Sequence, residues 1–147
     1  VDLTVIRPKL KTCLNGLVVA PYTLAAARVV LGYIRIPDTS NMWDEMYAAG
    51  PFVMIMPGTK IEDILGDQLQ YSQRRYQVEV LLWLAIPKET QNDFINVEKL
   101  VEGMASTLKA GAGVITTGVS WDQPIINVTT ANATIVNYSL KVVVVGC

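Results

Sequence analysis

No histidine occurs among the 147 residues, which removes the commonest general base and the commonest metal ligand together. Cysteine is nearly absent. Cys13 falls on an apolar helical stripe and reads as a small core residue, Cys147 is the last residue, and two such positions make no disulfide framework. Both suit a reducing compartment such as a bacterial cytoplasm. Charge is scarce as well, 17% of residues against roughly 25% in an average globular chain. The formal net charge of −1 leaves no global basic field to attract nucleic acid. The longest apolar run, Val80–Ile86, has strand length and falls far short of the ~20 residues of a membrane span. No signal peptide is expected either, because Arg7, Lys9 and Lys11 interrupt the first apolar residues.

What is abundant is apolar side chain: 51% of the residues, with a mean hydropathy of +0.34. Without a membrane segment to absorb it, this excess points to surface buried against other subunits, as in obligate oligomers. The length suits one domain over residues 1–147, large enough for a sizeable core.

Arg74–Ile86 organises the chain. Successive side chains leave a pleated strand on opposite faces, and Tyr76, Val78, Val80, Leu82, Leu84 and Ile86 make one unbroken apolar face. The other face begins polar at Arg75, Gln77 and Glu79 and turns apolar at Leu81, Trp83 and Ala85. This predicts a central strand with its second face covered toward the C-terminal half.

Around it the pattern reads helix, strands, long connection, central strand, helix, hairpin. Leu3, Ile6, Leu10, Cys13, Leu14 and Leu17 recur at helical spacing. Thr4 is the expected cap, and Pro8 is expected within the first turn, where its missing amide has no acceptor to lose. Arg28–Ile36 predicts a strand with Gly32 at a bulge or a close backbone approach. Pro37–Asn41 predicts a turn, and Phe52–Met56 a strand buried on both faces. Phe94, Val97, Leu100, Val101, Met104, Ala105 and Leu108 form a second helical stripe, capped by Thr90 or Asn92 and stopped by Gly111 and Gly113. Val119–Thr129 carries Pro124 and belongs at an edge or bulge. Ala133–Val145 closes the chain with Val136, Tyr138, Leu140, Val142 and Val144 inward. The expected fold is α+β: an antiparallel or mixed sheet of four to five strands, with two amphipathic helices packed on one face.

Thr59–Gln73 is too long for a hairpin turn and reads as a connection that meets a partner. It carries Lys60 against Glu62, Asp63 and Asp67, and more aliphatic residues (Ile61, Ile64, Leu65, Leu69) than a solvated loop requires. Its carboxylates have no natural metal-ligand companions, and clustered acids in a loop are ordinarily solvated. Gly111-Ala112-Gly113 lacks the strand-loop-helix order of a dinucleotide motif. The sequons at Asn127, Asn132 and Asn137 read as polar positions on the outer faces of a hairpin. Arg74 and Arg75 suit an intersubunit salt bridge at least as well as a phosphate. Trp43, Trp83 and Trp121 are dispersed and read as core or interface anchors; Leu81 and Trp83 join the two arginines as the expected subunit interface. No cofactor, metal or catalytic residue is expected, and the chain is expected not to be an enzyme.

The layout resembles the tail terminator proteins of long-tailed bacteriophages and related head–tail joining proteins. The likeness rests on the N-terminal amphipathic helix, P-D-T before the strand P-F-V-M-I-M-P-G, and the long connection. It continues through R-Y-Q-V-E-V-L-L-W-L, a single helix, and a hairpin ending N-Y-S-L-K-V-V-V-V. It covers nearly the whole chain as an order of elements; Leu17–Ala27 matches nothing in it. The resemblance implies a subunit of a hexameric ring at the head-proximal end of the tail. Such a ring stops tube polymerisation and joins tail to head, with the tail tube protein and a head-completion protein as partners. DNA would pass through the lumen without sequence-specific binding, in a virion assembled in the bacterial cytoplasm. Pro57–Gln73, with Lys60–Leu69 at its middle, would by position be the loop that faces the tube or lumen; its mixture of aliphatic and acidic residues leads us to expect Thr59–Gln73 to be mobile in the free subunit and ordered in the assembled particle. A near-neutral chain with an acidic loop suits sliding, since each neutralised phosphate adds affinity by counterion release. The alternatives are a tail tube or head-closure ring protein and, from another class, a ferredoxin-like module binding a small ligand between subunits.

Overall fold

The alternating apolar residues of the central strand fix where everything else lies. In the computed structural model, which describes residues 2–32, 50–65, 72–86, 91–111, 115–130 and 133–146, that strand is β6 (Ser72–Ile86). It runs antiparallel to β9 (Ala133–Gly146), from Arg74 opposite Gly146 to Ile86 opposite Thr134, with no shift of register. These two long strands are the spine of the sheet.

Each side of the spine is flanked by a strand broken once. On the β6 side, β4 (Phe52–Ile55) pairs with Val80–Trp83, the chain leaves the ladder, and β5 (Thr59–Leu65) pairs with Ser72–Gln77. On the β9 side, β7 (Ile115–Trp121) pairs with Leu140–Val145 and β8 (Ile125–Thr130) with Ala133–Asn137. A short β3 (Val29–Leu31) lies parallel to β4, so the sheet is mixed. Among the described residues it has seven strands rather than four or five, because each flank counts twice. One line across it still meets five: Leu31, Ile55, Val80, Leu140 and Trp121. Pro124 lies between β7 and β8 on the edge, where a residue without an amide costs no ladder hydrogen bond.

Among the described residues two helices cover one face, as expected. α1 (Leu3–Leu14) lies over β3 and β4, and α2 (Gln91–Gly111) over β7 and β9. Ile6, Leu10 and Leu14 from α1 and Val97, Leu100, Met104 and Leu108 from α2 are fully buried against the even-numbered side chains of β6. Asp2, not Thr4, is the cap: its carboxylate accepts the Thr4 amide at 2.9 Å. Pro8 sits inside α1 rather than in its first turn. Thr4, whose carbonyl loses the Pro8 amide, is exposed, so water can satisfy it. Gly16, at φ +75°, follows the helix and turns the chain, so Leu17 is not helical. Asn92 lies inside α2 and is no cap, and Gly111 is its last residue.

Leu17–Ala27, unplaced by sequence, forms a small hairpin of β1 (Val18–Val19) and β2 (Tyr22–Thr23) around a cis Ala20–Pro21 bond, followed by a 3-10 turn at Ala26–Arg28. It packs on α2: a Cβ on Gly103 would come within 2.6 Å of Val19 Cγ2. Leu24 is fully buried beneath it. Gly32 is a close approach, since a Cβ there would collide with the Met54 thioether. The second face of β6 carries its own cluster of Met54, Leu81, Trp83, Ala85 and Ile135. Residues 33–36 of the expected β3 strand, the Pro37–Asn41 turn, Trp43, Thr90, Gly113, Asn132 and Cys147 lie outside the described residues.

Candidate functional site

The two breaks in the flanking strands are where the sheet exposes backbone and where its recesses form. The first, at Met56–Gly58, keeps one ladder bond, from the Met56 amide to the Glu79 carbonyl at 2.9 Å. Its carbonyls are gathered by Arg7, carried there by α1. Arg7 Nε donates to Met56 O at 3.0 Å, and Nη2 donates to Gly32 O at 2.6 Å and Ile55 O at 2.8 Å. Arg7 is 8% exposed; a planar guanidinium reaches three carbonyls that a single ammonium cannot. Leu3 and Val78 close on Gly58, where a Cβ would strike Leu3. A recess of 370 Å³ remains outside Arg7, between α1, Leu31 and Pro57.

The second break, Asp122–Pro124, opens onto a groove of 590 Å³ beside α2. Ile95, Val101, Trp121, Pro124 and Tyr138 supply its apolar wall; Glu98, Glu102 and Asp122 face Lys99 as its charged rim. Burial, and after it the Glu98 carboxylate, push the Tyr138 phenol above its usual value. Burial, and then Asp93, do the same for Tyr22. Along β8, next to the groove, Ile125 and Ile126 are 60% and 43% exposed.

The first part of the expected partner segment is not a loop. Thr59–Leu65 is a strand, and its register sets Glu62 opposite Arg75 and Asp63 opposite Arg74. These arginines therefore have acidic positions opposite them within their own chain. Lys60 and Ile61 are exposed on β5, and Ile61, at 47%, remains a surface aliphatic. Ile64 and Leu65 continue the strand opposite Gln73 and Ser72; Asp67 and Leu69 lie outside the described residues. Arg74 is exposed and Arg75 half-buried. Leu81 and Trp83, expected at a subunit interface, are 0% and 5% exposed in the single chain. Phe52 tilts against Trp83 with ring centroids 6.1 Å apart, and the Arg28 guanidinium lies 5.0 Å from the Phe52 centroid. Asn137 is not on an outer surface either: it is 9% exposed and donates Nδ2 to Leu82 O at 3.1 Å.

Among the described residues no group of three acidic, cysteine or histidine side chains could hold a metal ion, and no helix is long and apolar enough to cross a membrane. Burial pushes the Cys13 thiol up to about 11, and it donates to Leu10 O at 3.2 Å. A thiol held protonated is a poor nucleophile.

No protein-family model matches the chain, and no curated protein matches it. Solved structures do. One chain from the virion of a native gene transfer agent particle superposes with a TM-score of 0.43 at 12% sequence identity, over 82% of this chain and 81% of that chain. A likeness of that degree carries no argument about function.

The groove escaped the sequence reading. Pro124 signalled the break, but Glu98 and Glu102 belong to a helix and Trp121 and Tyr138 to two strands; only the packing of α2 over β7 and β9 assembles them.

Proposed function

We propose that this chain is a ring-forming structural subunit of a phage-type virion, acting at the head-proximal end of the tail, where it ends tube polymerisation and joins tail to head. It has no catalytic step and no cofactor, and DNA passes the ring without being held. The observation that carries this reading is the distribution of exposed aliphatic side chains. Val5 and Ile61 lie on the α1–β5 flank, Ile95, Ile125 and Ile126 on the α2–β8 flank, and Val18, the most exposed of them, on the β1–β2 hairpin. A subunit that must meet a neighbour on each side needs apolar surface on both flanks, set among charges that keep it soluble until assembly. The element order, which resembles the tail terminator group, agrees with this. The gene transfer agent chain, also from a virion, adds no weight at its TM-score.

Electron microscopy with sedimentation of the purified protein tests the reading. Rings support it, helical tubes replace it with a tube subunit, and a compact dimer binding a small molecule replaces it with the ligand-binding class. β5 is a sheet strand, so its contribution is read by Ile61→Asp rather than by deletion. That variant is expected to fold and to fail in capping tails.

A further inference from the structure

We infer that the groove beside α2 docks an extended segment of another protein, one that presents an arginine with aliphatic side chains beside it. The groove belongs to a single subunit, so the inference goes beyond the ring reading and does not depend on it.

Three observations lead to it. First, the rim is acidic. Glu98, Glu102 and Asp122 stand against Lys99 alone, and all four are exposed. Such a rim attracts a cation and turns phosphate away. Second, a buried hydroxyl lacks a partner. Tyr138 is 6% exposed and lines the groove, and among the described residues it makes no hydrogen bond, although buried polar groups ordinarily do. Burial, and then the Glu98 charge, hold its phenol above its usual value, which puts a carboxylate beside it. A guanidinium carries five N–H donors in one plane and can serve the phenol oxygen and the carboxylate together. An ammonium, a single point with three donors, does this less well. Third, the surroundings are apolar. Trp121 is half-buried, and the open part of its ring lies in the groove, a surface on which a guanidinium stacks. Ile95 is 39% exposed and Ile126 43%. Ile126 pairs with Val136, a core residue beneath the helices, so it lies on the helix side of the sheet, diagonal to Tyr138. Aliphatic side chains next to the arginine would cover both isoleucines. A recess of 590 Å³ admits a few side chains and not a folded domain.

The described arginines of this chain are engaged elsewhere. Arg7 holds three carbonyls, Arg28 lies over the Phe52 ring, and Arg74 and Arg75 stand opposite Asp63 and Glu62. A different protein therefore matches the groove better than a second copy. A free polyamine would answer the rim charge but leave the two isoleucines uncovered.

The test is isothermal titration calorimetry of the full chain with the capped peptide Gly-Ile-Ser-Arg-Ser-Ile-Gly. When extended, this peptide sets both isoleucines on the side of the arginine. Saturable one-to-one binding is expected. Replacing the arginine by neutral citrulline, or Glu98 and Glu102 by glutamine in the protein, should weaken it by about tenfold or more, since each removes charge-assisted hydrogen bonds. Tyr138→Phe, which takes away only the phenol oxygen, should weaken it by about threefold. Circular dichroism confirms that each variant folds. No saturable binding up to millimolar peptide would overturn the inference, as would unchanged affinity with citrulline or in the Glu98→Gln, Glu102→Gln variant. Spermidine that displaces the peptide at equal concentration would overturn it in favour of a free cation. Self-association of the wild type that weakens in the glutamine variant would give the groove to a second copy, and overturn it too.

Discussion

The two broken flanks of the sheet show one device put to two ends. Each interrupts a strand at a proline-containing segment, and each break lies under a helix. At Met56–Gly58 the helix delivers an arginine, three carbonyls find their donor, and Leu3 and Val78 leave Gly58 no room for a side chain. At Asp122–Pro124 the helix delivers carboxylates and an isoleucine that stop at the rim, and the break stays open as a groove. A break in a β-strand frees backbone groups; the neighbouring helix decides whether they become core or surface.

The difference is open to direct attack. The largest effect is expected at Arg7. Arg7→Met takes the guanidinium from the carbonyls of Gly32 and Met56 and leaves Ile55 O with the Gly32 amide alone, and should lower stability by about 3 kcal/mol in chemical denaturation. Arg7→Lys should recover only part of that, since one ammonium cannot reproduce the fork. A loss under 1 kcal/mol in Arg7→Met, a threshold on the order of one ordinary hydrogen bond, would mean the first break is not closed by this residue.

Glycine pairs give the next measure. Gly58→Ala must displace Leu3 and should cost about 1–2 kcal/mol, whereas Gly118 in β7 has nothing within 4 Å of a Cβ, so Gly118→Ala should stay within about 0.5 kcal/mol of wild type. Equal effects would erase the contrast between the flanks.

Cys13 reports on how firmly α1 is seated. With its thiol pushed up to about 11 by burial, iodoacetamide should label it much more slowly in the folded chain than in the unfolded one at pH 8. The sign for stability follows from the raised value. Below the ordinary thiol range the group is neutral in both states; as pH rises toward 11 the unfolded state ionises first, so stability falls. Fast native labelling would show α1 lifting from its flank.

The smallest effect concerns the cap. Hydrogen bonds from the Thr4 hydroxyl and amide hold the Asp2 carboxyl below its usual value. Its stabilisation is therefore complete above about pH 4 and is lost as pH falls through the lower folded value. Thermal unfolding of Asp2→Asn should show a gap from wild type at pH 7 that narrows toward pH 2.5. A gap that does not depend on pH would mean the carboxylate's charge is irrelevant to the cap.

What could be read from the chain was whatever repeats with a period. β6 announced both of its faces through thirteen alternating positions, and both helices announced their stripes, because burial on one side imposes the pattern directly. Pro124 and Gly32 were legible because their constraints are local: one lacks an amide and the other lacks a Cβ. β5 was not legible, and the reason is visible in its register. A bulge between Lys60 and Glu62 breaks the alternation, so Thr-Lys-Ile-Glu-Asp-Ile-Leu follows no single period and resembles a loop. The cap moved by two residues because Asp2 and Thr4 are both competent and only geometry chooses between them. Arg7 was legible only as a charge interrupting the first apolar residues, since nothing near it in sequence says that Gly32, Ile55 and Met56 converge on it. The groove was invisible for the same reason: its residues come from segments far apart in the chain.

The β6–β9 spine also sets the order in which the molecule can be made. Asn137 and the Leu82 carbonyl it binds are 55 positions apart in the chain, so the pairing that defines the sheet must wait for a long closure, whose entropy is lost before any rung rewards it. α2, formed from contacts three and four residues apart, has no such delay and lies within the segment being closed. Folding is therefore expected to start from the helix, with the spine as the late event, in the millisecond-to-second range usual for sheets of distant strands. Until β9 arrives, β6 has an unpaired backbone edge beside its apolar face, which can recruit the wrong chain. The step most exposed to aggregation is thus the one that pairs the two longest strands of the sheet.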